Sequence, residues 1–131
     1  MKTKEIFPIM KTKEELTQEL PQFTGTESYH RFSPLFRNIL LTDGTDYLAK
    51  NAGCYWLMDI IASVQHSPKL KAEPFQTVVF TKGKGVVITD GNKNILYKQR
   101  VASSDFPISE IKLFVSDGGE GNKIIMLPSE Y

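Results

Sequence analysis

The residue types best suited to covalent chemistry in this chain are one cysteine and two histidines: Cys54, His30 and His66. A histidine that deprotonates a cysteine thiol creates a nucleophile for acyl transfer. No local motif joins these three residues, and Cys54 lies among apolar residues, which is typical of a packed, reduced thiol. One cysteine and two distant histidines also do not match the ligand spacing of a zinc site. We therefore predict no catalytic residue, no metal site and no cofactor.

Acidic residues offer a second kind of chemistry, in which converging carboxylates hold a divalent metal ion for hydrolysis. The candidates are Asp43, Asp46, Asp59, Asp105 and Glu110. Asp43 and Asp46 fall at the predicted start of a helix, where capping and the helix dipole explain them without a metal. The sequence does not fix how far apart the other carboxylates lie, so a metal-dependent hydrolase is the lowest-ranked functional hypothesis.

A basic, glycine-containing segment, Lys82-Gly-Lys-Gly85, resembles half of a phosphate-binding loop. Such loops lead into a helix whose N-terminus binds the anion. Here the segment lies between two strand-like stretches, and a short glycine-containing link between strands favours a hairpin turn. We predict a turn rather than a phosphate site.

Aromatic residues are the best candidates for binding, because they can stack on a planar ligand or anchor a protein partner. The run Tyr29-His30-Arg31 has polar tips and is predicted to be the exposed part of such a surface. Trp56 lies at helical spacing beside apolar residues, which favours burial, and Phe106 lies in a predicted turn. Together these five residues are the candidate binding site.

Composition and charge narrow the classes of protein further. The 131 residues have 40% hydrophobic content, which predicts a single globular domain over 1–131, with residues 1–9 flexible. Sixteen basic and fifteen acidic residues give a net charge of +1, which disfavours nucleic acid as a partner. No apolar run approaches the roughly 20 residues that span a bilayer, so no membrane partner is predicted. A lone cysteine is typical of a cytoplasmic protein.

Helices are predicted mainly in the first half of the chain. A capping box formed by Thr12 and Glu15 begins a helix at residues 12–20, which ends before a proline. Two further helices, 44–52 and 54–65, are separated by a change of apolar phase at Gly53. The connecting stretches are 23–37, which is typical of irregular chain or an edge strand, and a linker at 69–74.

Strands are predicted after Pro74, where β-branched and aromatic residues alternate with turn residues. On the fourth of these strands Leu113 and Val115 alternate with Lys112 and Phe114, which predicts one mainly buried face. The fold class is therefore α+β, with N-terminal helices packed on one face of a C-terminal antiparallel sheet of four or five strands, connected most simply as a meander. The five predicted strands are 75–81, 86–89, 95–101, 110–116 and 123–127.

Three strings in the sequence resemble an uncharacterised family of small bacterial, phage and mobile-element proteins. They are the segment from Thr42 to Ser63, with Thr-Asp-Gly-Thr-Asp-Tyr-Leu-Ala at its start; Asp105-Phe-Pro-Ile-Ser-Glu-Ile-Lys-Leu; and the final Leu127-Pro-Ser-Glu-Tyr131. The resemblance implies membership of a domain of unknown function and a phage or plasmid setting. It supplies no catalytic residue, cofactor or substrate.

Three functional hypotheses follow. The first is a non-enzymatic binding or interaction protein, an accessory factor that acts on a host protein. The alternative is a small-ligand binder, in which an aromatic ring stacks a nucleotide-like base and Arg31 or a lysine meets its phosphate. The third is the metal-dependent hydrolase. The oligomeric state stays open, and edge-strand pairing in a homodimer is one route. The tail Pro128–Tyr131 is expected either to dock on the domain or to be bound by a partner.

Overall fold

The structure is a computed structural model that describes residues 10–102 and 105–131. The predicted flexibility of residues 1–9 lies outside the described residues. In these two ranges four helices span Lys13–Glu19 (α1), Asp43–Asn51 (α2), Tyr55–Val64 (α3) and Pro68–Lys71 (α4). Seven strands span His30–Ser33 (β1), Phe36–Leu41 (β2), Phe75–Thr81 (β3), Gly85–Thr89 (β4), Ile95–Arg100 (β5), Glu110–Gly119 (β6) and Asn122–Met126 (β7). Short 3-10 turns cover Leu20–Gln22 and Pro128–Glu130.

The strands form one mixed sheet in the order β1-β2-β7-β6-β3-β4-β5. The pair β2–β7 is parallel and the other neighbouring pairs are antiparallel. The α+β class is confirmed, whereas the prediction of four or five strands, all antiparallel and all C-terminal, was wrong. The first half of the chain adds β1 and β2, which are short and joined through Ser33-Pro34, so their strand signal is weak.

The predicted meander is correct for the run β3, β4 and β5 and for the β6–β7 hairpin, and it was wrong at the step from β5 to β6. Strand β6 does not pair with β5; it crosses back and pairs with the other side of β3 along seven residue pairs, from Phe75–Ser116 to Thr81–Glu110. The chain that makes this crossing carries Phe106, which is 1% exposed and packs against Phe80. Burial of that ring holds the connection against the domain.

The helix predictions are largely confirmed, because local capping signals set the helix ends. Thr12 and Glu15 form the capping box of α1 as predicted, whereas Thr42 and Thr45 form that of α2, and Asp43, the predicted cap, is the first residue of that helix. Gly53, with φ +61°, separates α2 from α3 in a backbone conformation that favours glycine. The predicted linker at 69–74 was wrong in part, since α4 begins at Pro68, a residue that is compatible with the first turn of a helix.

Burial alternates along the central strands, so the sheet has two distinct faces. On one face Val78, Phe80, Leu113 and Val115 are buried in a core cluster that they share with α2 and α3. We call this the covered face. The opposite, uncovered face is formed by the intervening residues of the same strands, which are half-buried or exposed. Its main members are Leu40, Phe75, Thr77, Val79, Val87, Lys98, Arg100, Glu110, Lys112, Phe114 and Met126.

Candidate binding surface

Three aromatic rings pack together at the centre of the uncovered face. The ring centroids of Phe75 and Phe114 lie 4.9 Å apart, and those of Tyr131 lie 5.0 Å and 5.6 Å from them. Tyr131 as a residue is 77% exposed, although its ring packs against the other two. We call these three residues the aromatic platform. Tilted and edge-to-face packing of this kind stabilises the rings while leaving apolar surface available to a ligand.

Cationic side chains lie on the same face as the platform. The strand register places Arg31, Lys98, Arg100 and Lys112 on the uncovered face, and all four are exposed. Among the described strand residues of that face, Glu110 is the one carboxylate. The face therefore presents positive charge around an apolar, aromatic centre.

The Lys82-Gly-Lys-Gly85 segment forms the β3–β4 hairpin, as predicted, and Lys84 N donates to Thr81 O at 2.9 Å. A Cβ atom on Gly85 would lie 2.1 Å from the carbonyl oxygen of Gln99, so only glycine permits this approach of β4 to β5. Next to the hairpin is an open cavity of about 440 Å³. Lys84, Lys98 and Arg100 contribute to its lining, and among described residues no carboxylate does.

The position of Tyr131 is fixed by the residue before it. The Glu130 carboxylate accepts hydrogen bonds from the Thr42 hydroxyl at 2.6 Å, from Gly44 N at 2.9 Å and from Leu127 N at 3.0 Å. It thus binds the N-terminus of α2, where unpaired N–H groups and the helix dipole favour an anion. A Cβ on Gly44 would lie 2.6 Å from the carboxylate. Of the two expectations for the tail, docking on the domain is confirmed.

Replacing Glu130 with glutamine should lower the free energy of unfolding by about 1–2 kcal/mol, because a neutral amide loses charge-assisted bonds to the start of α2. Tyr131 should also lose its fixed position, visible as weaker near-ultraviolet circular dichroism. Urea unfolding measures the first effect. Glu14→Gln, in the exposed first turn of α1, is the matched control and should change stability by less than about 0.5 kcal/mol. An equal, small effect of both variants would contradict the anchoring role.

His30 belongs to a separate polar cluster at the same end of the sheet. Its Nε2 lies 2.8 Å from Asp43 Oδ1, and its Nδ1 lies 3.9 Å from Asp46 Oδ2, which also pairs with Lys50 at 3.1 Å. The second Asp43 oxygen accepts from Glu27 N at 2.9 Å. The cluster ties the chain before β1 to the start of α2. Because the carboxylates of Asp43 and Asp46 are engaged in these bonds, their role is structural.

The hydrogen bond from His30 is the main reason that the pKa of Asp43 is lowered from its ordinary value, and the bond from Glu27 N adds to it. A lowered pKa means that this carboxylate stabilises the fold above its ordinary pKa and that the contribution is lost as pH falls through the folded value. His30→Ala should therefore raise the pKa of Asp43 toward normal. Carbon-13 NMR titration of the carboxyl group measures this; an unchanged pKa would show that the bond does not form.

The five predicted binding residues do not form one site. Tyr29 is 55% exposed beside the edge strand β1, and the next two residues point to opposite faces of the sheet, His30 to the cluster with Asp43 and Arg31 to the uncovered face. Trp56 packs against Phe80 and Phe106, with ring centroids 5.2 Å and 6.4 Å away. Phe106 is therefore buried in the core on the covered side, and the half-buried Trp56 packs against that core.

Cys54 is buried, and burial raises the pKa of its thiol to about 12. At neutral pH it is protonated, as a packed structural cysteine should be. Across the ranges 10–102 and 105–131, no group of three or more histidine, cysteine, aspartate or glutamate side chains is arranged to hold a metal ion. Likewise, none of the helices in those ranges has the length and apolar character to cross a membrane.

The sequence patterns did not identify Phe75, Phe114 and Tyr131 as members of one surface. The alternation of Leu113 with Lys112 and Phe114 was visible, and it places Lys112 and Phe114 together on the less buried face. The missing information was the strand order, which brings Phe75 beside Phe114, and the course of the tail that brings Tyr131 over both.

Comparison with known proteins gives one match. Residues 14–131 match the model of a family described as a family of unknown function (DUF6876). No curated protein and no solved structure matches the chain.

Proposed function

We propose that this chain, which belongs to the family DUF6876, is a non-enzymatic binding protein and that the uncovered face is its binding surface. The observation that carries the proposal is the aromatic platform. Tyr131, a residue that is 77% exposed, packs on two half-buried rings on an otherwise uncovered sheet, and this arrangement leaves apolar surface in water. Exposed apolar patches of this kind mark interaction sites.

The arrangement has the anatomy of a recognition site. Binding surfaces concentrate aromatic residues and arginine at their centre and place polar groups at the rim. Here Tyr131, Phe75 and Phe114 form the centre, and Lys112 and Arg100 lie on the same face as part of the rim. Because the platform stands on hydrogen-bonded strands, it is rigid before a ligand arrives, and binding costs little ordering entropy.

The proposal also includes the cellular setting in which the protein acts. The strings that begin at Thr42 and at Leu127 resemble phage and mobile-element proteins, which supports an accessory role inside a host cell, with a host protein as one class of partner. The single cysteine, which is buried and protonated, is compatible with a cytoplasmic location. These two strings contact each other in the fold, because Glu130 accepts hydrogen bonds from Thr42 and from the start of the helix that follows it.

Capture from host extract tests the proposal. Tagged protein is incubated with lysate, washed, and analysed by native mass spectrometry, alongside Tyr131→Ala and Lys112→Glu. We expect a retained species that both variants lose, because the first removes the exposed ring and the second reverses a rim charge. Tyr55→Ala is the matched control, because Tyr55 is 45% exposed but lies at the start of α3, on the covered side.

Loss of the retained species in Tyr55→Ala, with retention in Tyr131→Ala, would contradict the proposed surface. Retention in all variants, or no retained species from any extract of the source organism, would contradict it as well. Circular dichroism of each variant shows whether the fold is intact.

A second candidate function is binding of a small phosphorylated ligand, as the nucleotide-like hypothesis expects. It is favoured by the cavity of about 440 Å³ beside Lys84, Lys98 and Arg100, whose cationic side chains suit a phosphate. Native mass spectrometry would then show a retained mass below about that of a dinucleotide, and Arg100→Ala would lose it. The metal-dependent hydrolase has no comparable supporting cluster within the described residues.

A further inference from the structure

We infer that the uncovered face binds single-stranded nucleic acid, with bases stacking on the aromatic platform and phosphates meeting Lys98, Arg100 and Lys112. This inference rests on the proposed function, because it names the ligand of the same surface. Its first support is charge. Arg31, Lys84, Lys98, Arg100 and Lys112 are five of the sixteen basic residues, whereas Glu110 is one of the fifteen acidic residues.

The near-neutral charge of the whole chain therefore averages over two unlike surfaces. Without these five basic residues and Glu110, the rest of the sequence has eleven basic and fourteen acidic residues. A cationic face on an otherwise acidic molecule attracts a polyanion and orients it toward that face. Net charge had disfavoured nucleic acid, but net charge cannot detect such segregation.

The register arranges two of these cations in one row across the sheet. Lys112, Val79, Val87 and Lys98 are consecutive partners across β6, β3, β4 and β5, so they form one row. With strands about 4.8 Å apart, the two lysines lie about 14 Å from each other. Phe114 is two residues from Lys112 on the same strand and face, one step of about 7 Å from this row. Lys112 is therefore the cation of the row nearest the platform, and a sugar–phosphate chain that passes Lys112 would place a base over Phe114 and continue along the row to Lys98.

The shape of the surface favours a single strand over a duplex. A flat sheet face with exposed rings takes unstacked bases, whose π faces are hidden inside a double helix. Sequence-tolerant binders of single strands combine such rings with a cationic track along the backbone. Both parts are present here, in Tyr131 with its two supporting rings and in the row that contains Lys98 and Lys112.

The experiment is fluorescence anisotropy of labelled dT12 and U12 with the full chain at low ionic strength. We expect saturable binding of both, weakened by salt with a log–log slope of roughly −2 if about three phosphates are contacted. Tyr131→Ala should weaken binding about fivefold or more, and Lys98→Ala with Lys112→Ala should flatten the salt dependence. Lys13→Ala, an exposed lysine on α1, should leave the affinity and slope unchanged.

Three results would overturn the inference: no binding of either oligonucleotide at low salt, tighter binding of a twelve-base-pair duplex, or equal binding by the double lysine variant. Binding of dTMP as tight as that of dT12 would also overturn it, since the site would then hold a nucleotide rather than a strand. If extract capture yields a protein that depends on Tyr131 while dT12 and U12 fail to bind, the proposed surface stands and only this assignment of its ligand falls.

Discussion

Replacing Phe80 with alanine is expected to lower the free energy of unfolding by about 3–5 kcal/mol, the usual cost of removing a large buried ring. Phe80 is fully buried and lies within 5.5 Å, centroid to centroid, of both Trp56 and Phe106. The cavity would be bordered by two rings from different elements, which limits how far the core can collapse. Chemical denaturation measures the loss, and Trp56, the chain's one tryptophan, reports it through a red-shifted emission.

Val79→Ala is the control for this result. Val79 is the neighbour of Phe80 on β3 but is half-buried on the uncovered face, so its truncation should cost less than about 1.5 kcal/mol and leave Trp56 emission unchanged. Similar losses at the two positions would show that the sheet is covered on both sides, against the division of faces on which the binding surface depends.

Replacing Gln76 with leucine is expected to cost about 2–4 kcal/mol, because buried polar partners would lose their hydrogen bonds. Gln76 and Gln65 are buried and exchange two side-chain bonds of 2.9 Å, and Gln76 Nε2 also donates to Leu70 O at 2.9 Å. In Gln76→Leu the side-chain amide of Gln65 loses both its donor and its acceptor, and the carbonyl oxygen of Leu70 loses its donor. Urea unfolding measures the cost.

A double-mutant cycle separates this effect from loss of packing. Gln65→Leu in the Gln76→Leu background should cost much less than Gln65→Leu alone, since the second substitution removes an amide that has already lost its partner. Additive losses in the cycle would contradict the mutual pairing of the two amides. This pair joins the end of α3 to β3, so the cycle also tests how the helices are held on the covered face.

Local signals predicted much of the fold. The capping box at Thr12, the change of phase at Gly53 and the turn at Lys82-Gly-Lys-Gly85 each act over a few residues, and the structure has an element boundary at each. The five later strands were predicted for the same reason, because the alternation of apolar and polar residues is visible within each segment. The Gln65–Gln76 pair left no such signal, because two amides look like surface residues until their burial is known.

Long-range pairing was the part that the sequence could not supply. The parallel contact of β2 with β7 joins residues about eighty positions apart, and either strand alone is compatible with an antiparallel partner. The candidate binding residues are dispersed over the fold for the same reason. Tyr29, His30 and Arg31 are adjacent in the chain but alternate across a strand, whereas Phe75, Phe114 and Tyr131 meet only through the strand order and the Glu130 anchor.

Hydroxyl-radical footprinting of the protein in host extract, compared with the purified protein, tests the central claim most directly because its readout does not depend on which ligand binds. We expect labelling of Tyr131, Phe114 and Met126 to fall in extract, while labelling of Tyr55 and Met10, which are exposed on the covered side, is unchanged. Protection confined to Tyr55, Met10 or Tyr29, or no protection of the uncovered face, would contradict this expectation.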